Sequence, residues 1–239
     1  MRNTKNTLMS GKKEVKYKSC VTSYKSPSCL LPSRMSNHID KIFYINLKTR
    51  PDRQAEMESE LQKFGLEAER FEAIPTPDFG IYGCGLSHLA VLKLAKERNY
   101  RNVLILEDDF EFLVTKDEFQ DQLQQFFGSS LEYNVCMLAY DVREQDLSFS
   151  HENVNVERLL FAQTASGYIV NCNYYDTLIE LYEEALPQLI ATRRHWDYAN
   201  DIVWRGLQQR DQWLYFKRRI GKQRASYSDN SGKFADYGF

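Results

Sequence analysis

The 239-residue chain is 43% hydrophobic and 27% charged, a globular mixture that excludes wholesale disorder. A net charge of −2 and a pI near 6.1 argue against a dedicated nucleic-acid binder. No stretch approaches the roughly 18 apolar residues of a membrane span, so no transmembrane segment is expected.

The first 37 residues stand apart, with eight basic side chains against the single acid Glu14 and no apolar periodicity. Cys29-Leu30-Leu31 is too short for the apolar core of a secretory signal. A basic, poorly ordered arm over 1–37 is expected, with weak contact to an anionic surface as the alternative. One folded domain then covers 38–239. Its first strand is Ile42-Phe43-Tyr44-Ile45-Asn46-Leu47, a short apolar run that ends in polar residues. Pro51 sits where a helix would begin, and Met57, Leu61 and Phe64 follow at helical spacing until Gly65. Residues 68–74 read as a second strand and Pro75, Pro77 and Gly80 as a loop. Leu86, Ala90, Val91, Leu94 and Ala95 form the apolar stripe of a helix over 84–98. Val103-Leu104-Ile105-Leu106 fits a central parallel strand covered on both faces.

Farther along, 115–127 reads as a helix, and 135–139 and 166–170 as strands. A helix over 174–190 is capped by Asn173 with Asp176 in its first turn. Another helix follows over 197–209, then a strand over 213–216. Strands alternating with helices predict an α/β fold with an open, mostly parallel sheet flanked by helices. Ligands of such sheets gather at the carboxyl ends of the strands.

At that place on the central strand stands Glu107-Asp108-Asp109. Three adjacent carboxylates repel one another, and a hard cation such as Mn²⁺ or Mg²⁺ relieves the repulsion through carboxylate oxygen. Strand alternation would put Glu107 and Asp109 on one side and Asp108 on the other. A solvated acidic turn is the simpler alternative. There is no GxxxxGK[ST] loop and no GxGxxG after the first strand, which removes P-loop and dinucleotide-binding readings. The five cysteines (Cys20, Cys29, Cys84, Cys136, Cys172) form no CxxC pair, which suits free thiols in a reducing, cytoplasmic setting. The scatter of His38, His88, His151 and His195 argues against zinc.

Four segments in order resemble glycosyltransferase family 25, which includes lipooligosaccharide and procollagen galactosyltransferases. Ile45-Asn46-Leu47-Lys48-Thr49-Arg50-Pro51-Asp52-Arg53 is similar to its opening motif, and Phe71-Glu72-Ala73-Ile74 to its second strand. Gly83-Cys84-Gly85-Leu86-Ser87-His88 resembles its "GC-x-LSH" element, and Leu104-Ile105-Leu106-Glu107-Asp108-Asp109 its metal motif. The shorter Gly167-Tyr168-Ile169-Val170 and Gln223-Arg224-Ala225-Ser226-Tyr227-Ser228 resemble family elements less specifically.

The resemblance implies a GT-A-like fold, a UDP-sugar donor and Mn²⁺ or Mg²⁺ held by Asp109 and Glu107, with Asp109 the first ligand. It also implies inversion at the anomeric carbon, which needs a carboxylate to take the acceptor's proton. Asp197 is the first candidate base and Asp201 the second; alternatively Asp197 only caps a helix. Asn46, Arg50 and Arg53 follow the first strand, where the donor would lie. Asp108, Ser87 and His88 join them as donor contacts, although Ser87 also suits a plain cap and His88 a buried structural histidine. Gln223 and Ser228 belong to a C-terminal segment that would fold over the donor. The expected function is metal-dependent transfer of a hexose, galactose from UDP-galactose by resemblance alone, to a glycan or hydroxylated protein. The alternatives are a non-catalytic nucleotide-sugar-binding relative and a metal-dependent phosphohydrolase or nucleotidyltransferase.

Overall fold

The first ordered strand, β1 (Lys41–Asn46), leads into α1 (Pro51–Phe64), whose limits follow the two punctuating residues. Proline is tolerated in the first turn because its missing N–H would have no helical partner. Gly65 ends the helix at φ 65°, the left-handed conformation that glycine adopts without a Cβ penalty, and its N–H bonds Gln62 O at 3.0 Å. The computed structural model describes residues 38–151, 154–228, 233–236 and 238. The basic arm expected over 1–37 lies outside the described residues.

β2 (Glu69–Glu72), α2 (Gly80–Glu97) and β3 (Asn102–Glu107) complete the first half of the sheet. Next come the short β4 (Phe110–Phe112), α3 (Lys116–Gly128) and β5 (Val135–Met137). A capping box opens α3, with Thr115 and Glu118 each satisfying the other's backbone N–H. The pair β6 (Asp141–Gln145) and β7 (Val156–Gln163) precedes β8 (Gly167–Asn171) and the long α4 (Tyr175–Thr192). Three short helices follow: α5 (His195–Tyr198), α6 (Asn200–Val203) and α7 (Arg205–Arg210). The last elements are β9 (Trp213–Phe216), β10 (Gly221–Gln223), β11 (Ser226–Ser228) and β12 (Lys233–Ala235).

Eight strands form one sheet in the order β2-β1-β3-β8-β5-β9-β7-β6. β7 and β8 run against the others, so the sheet is mixed but mostly parallel in direction. Alternate residues of β3 enter different cores, Val103 and Ile105 on one face and Leu104 and Leu106 on the other. α1 and α3 cover the second face with Met57, Leu61, Phe64, Phe119, Leu123 and Phe126. α2, α4 and α7 cover the first, and Leu186 of α4 lies where a Cβ on Gly85 of α2 would fall, 2.6 Å away. No helix among the described residues is long and apolar enough to cross a membrane.

Several expectations are corrected. α2 begins at Gly80 rather than 84, so Ser87 and His88 lie inside the helix and not at its start. The expected helix over 197–209 is broken into three: extended Ala199, at φ −63° and ψ 152°, separates α5 from α6, and Trp204 lies between α6 and α7. Asn171, not Asn173, caps the turn before α4, accepting from Asn173 N. The β6–β7 pair was not legible: β6 is a charged edge strand with register shifts near Glu144, so neither strict alternation nor an apolar run marks it.

Candidate functional site

The parallel pairing of β1 and β3 brings Asn46 and Glu107 to the same edge of the sheet, with Ile45 in register with Glu107. Asn46 is almost fully buried and acts as a polar hub. Its Nδ2 donates to Asp108 Oδ2 at 2.8 Å and to Arg50 O at 3.0 Å, while its Oδ1 accepts from Arg70 Nε at 2.9 Å. An asparagine at this strand end can donate to a carboxylate and accept from a guanidinium at once, which no single charged side chain could do.

The strand ends at Glu107, so the alternation expected of the acidic triplet stops there. Glu107 turns toward α2, where His88 Nε2 lies 3.0 Å and Cys84 Sγ 3.3 Å from Oε1. Cys84 and His88 are four residues apart on one helical face. The other ring nitrogen of His88 lies 2.7 Å from the Tyr168 hydroxyl of β8. Histidines and cysteines that are scattered along the chain thus meet a carboxylate here. Burial works against the Glu107 charge, but hydrogen bonds from His88 and Cys84 bring its pKa below the ordinary value.

Asp108 and Asp109 instead share Arg53, whose Nη1 lies 2.9 Å from Asp108 Oδ1 and 3.3 Å from Asp109 Oδ2. The second amino group of Arg53 donates to Ser226 Oγ at 2.7 Å and to Tyr227 O at 2.9 Å. Arg50 pairs with Asp52 at 2.8 Å and also reaches Tyr227 O at 3.4 Å. Gln223 Nε2 donates to Asp109 Oδ2 at 2.9 Å, and Arg224 N donates to Asp109 O at 2.6 Å. The C-terminal segment therefore packs against the acidic motif and Arg53. It is seated by β10 pairing with β4 and by the Phe110 ring packed against Gly221.

Asp109 is the least compensated carboxylate. It is 5% exposed, and its Oδ1 has no hydrogen-bond partner. Burial, and then the Glu107 charge, push its pKa up to about 7 despite Arg53. Burial also raises Asp108, against the pull of Arg53.

The two candidate bases separate clearly. Asp197 on α5 pairs with Arg194 at 2.5 Å. Asp201 on α6 accepts from Thr164 N at 3.0 Å. Its pKa is raised by burial and further by the Glu107 charge, which marks it as a neighbour of the acidic motif. Ala199, extended, breaks the helix between the two aspartates. Ser87 is fully buried, accepting from Ile74 N at 2.8 Å and donating to Gly83 O at 2.7 Å. It fastens the β2–α2 loop and offers no free hydroxyl. His88 is also fully buried and acts on Glu107 rather than on a ligand in solvent. The Ser228 side chain lies outside what is described. Cys84, Tyr168, Arg70 and Ser226 were missed as site residues; only the four-residue spacing of Cys84 and His88 carried a sequence signal.

Residues 79–186 match the model of a family described as "Glycosyltransferase family 25 (LPS biosynthesis protein)". A Drosophila melanogaster protein named Glycosyltransferase 25 family member is 31% identical over 108 residues, 34% of this chain and 18% of its own length. A namesake from Drosophila pseudoobscura pseudoobscura is 29% identical over 119 residues, 38% of this chain and 19% of its own. The match thus spans less than a fifth of either relative. Among solved structures, a glycosyltransferase involved in glycosylation of the major capsid of PBCV-1 aligns with a TM-score of 0.49 at 9% identity, over 80% of this chain and 95% of that one. The glycosyltransferase GlyE of Streptococcus pneumoniae TIGR4 aligns with a TM-score of 0.42 at 10% identity, over 76% and 46%.

Proposed function

From the match of residues 79–186 to glycosyltransferase family 25, we infer that the chain is a member of that family and a transferase that moves a hexose from a UDP-sugar to a glycan or hydroxylated protein acceptor. The observation that carries this reading is the carboxylate of Asp109, buried at the end of a central strand with one oxygen unpartnered. An uncompensated buried acceptor costs stability, and a functional role, such as holding an ion, accounts for its being kept.

Those residues fit a hard divalent cation, since the donor set is carboxylate oxygen and the charges repel. Asp109, with Glu107 beside it, would hold Mn²⁺ or Mg²⁺. When bound, such an ion supplies positive charge against the departing diphosphate. Arg53 and Arg50 would bind the donor's phosphates, and Arg53 would exchange its hold on Asp108 and Asp109 for them as the donor enters. Asn46 orients Asp108 and Arg50 at the donor's edge. Asp201 would accept the proton of the acceptor hydroxyl at its carboxylate, a role that its raised pKa and its place near Glu107 support. Galactose as the sugar rests on the family resemblance.

UDP release by the purified chain across a panel of UDP-sugars, with and without Mn²⁺, tests this reading. Donor-selective release that EDTA and Asp109→Ala abolish would support it. Asp201→Asn is expected to lower turnover at least ~100-fold while UDP still binds, and Asp197→Asn to lower it far less. UDP–Mn²⁺ binding without release, across varied acceptors, would favour a non-catalytic relative. Phosphate release from simple esters would favour a phosphohydrolase.

A further inference from the structure

Cys84, His88 and Glu107 present one ligand atom each, all within 4.8 Å of one another. The sulfur lies 3.3 Å and the imidazole Nε2 3.0 Å from the same carboxylate oxygen. Around a tetrahedral Zn²⁺, sulfur, nitrogen and oxygen ligands at their usual bond lengths stand roughly 3.4–3.6 Å apart, so shifts on the order of 1 Å or less bring this cluster to a ligand set. The chemistry is softer than that of the acidic motif: thiolate and imidazole select zinc-like ions, whereas Mn²⁺ and Mg²⁺ prefer oxygen alone.

We propose that Cys84, His88 and Glu107 form a binding site for Zn²⁺, distinct from the Asp109 side of the acidic motif and sharing only Glu107 with it. Two further observations support it. Cys84 and His88 lie one turn apart on the rigid helix α2, so two ligands are pre-oriented by backbone. The Tyr168 hydroxyl holds His88 Nδ1 at 2.7 Å, the outer contact that fixes a metal-bound imidazole. A hydroxyl can donate or accept. It therefore serves the free state, where Nε2–H donates to Glu107, and the bound state, where Nδ1–H donates to Tyr168 and Nε2 faces the ion.

Binding releases the thiol proton of Cys84 to solvent, and no redox change is involved. Cys84 and Glu107 are only partly buried, so an ion can reach the cluster from solvent. Because Glu107 is shared, zinc loading withdraws one carboxylate from the acidic motif.

The test uses the full chain with Cys20, Cys29 and Cys172 changed to Ser, freed of metal and kept reduced. Titration with Zn²⁺ should show one equivalent bound, and Co²⁺ in its place should give a thiolate charge-transfer band. Cys84→Ser should remove the band and weaken zinc by more than ~100-fold, and Tyr168→Phe should weaken it by about 10–100-fold. Should Cys84→Ser fold poorly, the unaltered thiol gives a second readout, since Zn²⁺ should slow alkylation of Cys84 and leave that of Cys172 in the native chain unchanged. The proposal is overturned by no zinc binding, by a Co²⁺ spectrum without the band, by unchanged affinity in Cys84→Ser, or by alkylation that zinc does not slow. None of these readouts depends on transferase activity.

Discussion

Replacing Asp109 by Asn should stabilise the metal-free protein at neutral and alkaline pH. The folded chain raises the Asp109 pKa from the ordinary 3.8 to about 7, so the native state binds this proton more tightly than the unfolded state does. The resulting stability is fully present below about pH 4 and is lost as the pH rises toward 7. At about 1.4 kcal/mol per pKa unit, keeping the buried carboxylate ionised costs on the order of 4 kcal/mol at pH 8. The amide of Asn must find a partner where Oδ1 had none, which returns about 1 kcal/mol. Net stabilisation is thus about 3 kcal/mol at pH 8, a large part of the roughly 5–15 kcal/mol that holds a domain together. Urea unfolding in EDTA reads it directly: with an m-value of about 2–3 kcal/mol per molar, the midpoint should rise by about 1 M at pH 8 and by almost nothing at pH 4. Equal slopes of stability against pH in the two proteins would refute an Asp109 carboxyl raised by burial. The expected loss of activity in the same variant would exemplify a stable site that no longer works.

Arg53→Met should destabilise the metal-free chain by about 3–5 kcal/mol at pH 8, since it strands two buried carboxylates; the penalty should shrink at pH 5, where Asp109 is protonated, and chemical denaturation at both values checks this. Gly221→Ala would put a Cβ 2.1 Å from the Phe110 ring, so a loss of about 1–3 kcal/mol is expected. The same change should weaken UDP binding measured by calorimetry, because β10 carries Gln223 to Asp109. Thr115→Ala should cost about 1 kcal/mol in thermal unfolding through the lost cap on α3 and leave UDP binding unchanged.

The elements flanking the acidic motif were legible because local signals and global fold agree there. Pro51 and Gly65 bound α1, and the uninterrupted Val103–Leu106 run marks a strand buried on both faces. The broken helix after Arg194 was not legible, since Ala199 carries no breaker signal and its extended backbone belongs to a local arrangement that spacing does not encode. The edge pair β6–β7 escaped for the opposite reason: one partner is charged and irregular.

From residue types and order alone, the sequence determined that a carboxylate cluster ends the central strand and that arginines follow the first one. Which carboxylate faces which partner was decided only by tertiary structure. The chain leaves its extended course after Glu107, so Glu107 meets α2 while Asp108 and Asp109 meet Arg53. Strand periodicity fixes side-chain direction only as far as the ladder lasts. Beyond it, direction is set by long-range packing, here of a C-terminal segment more than a hundred residues away that seats Gln223 on Asp109.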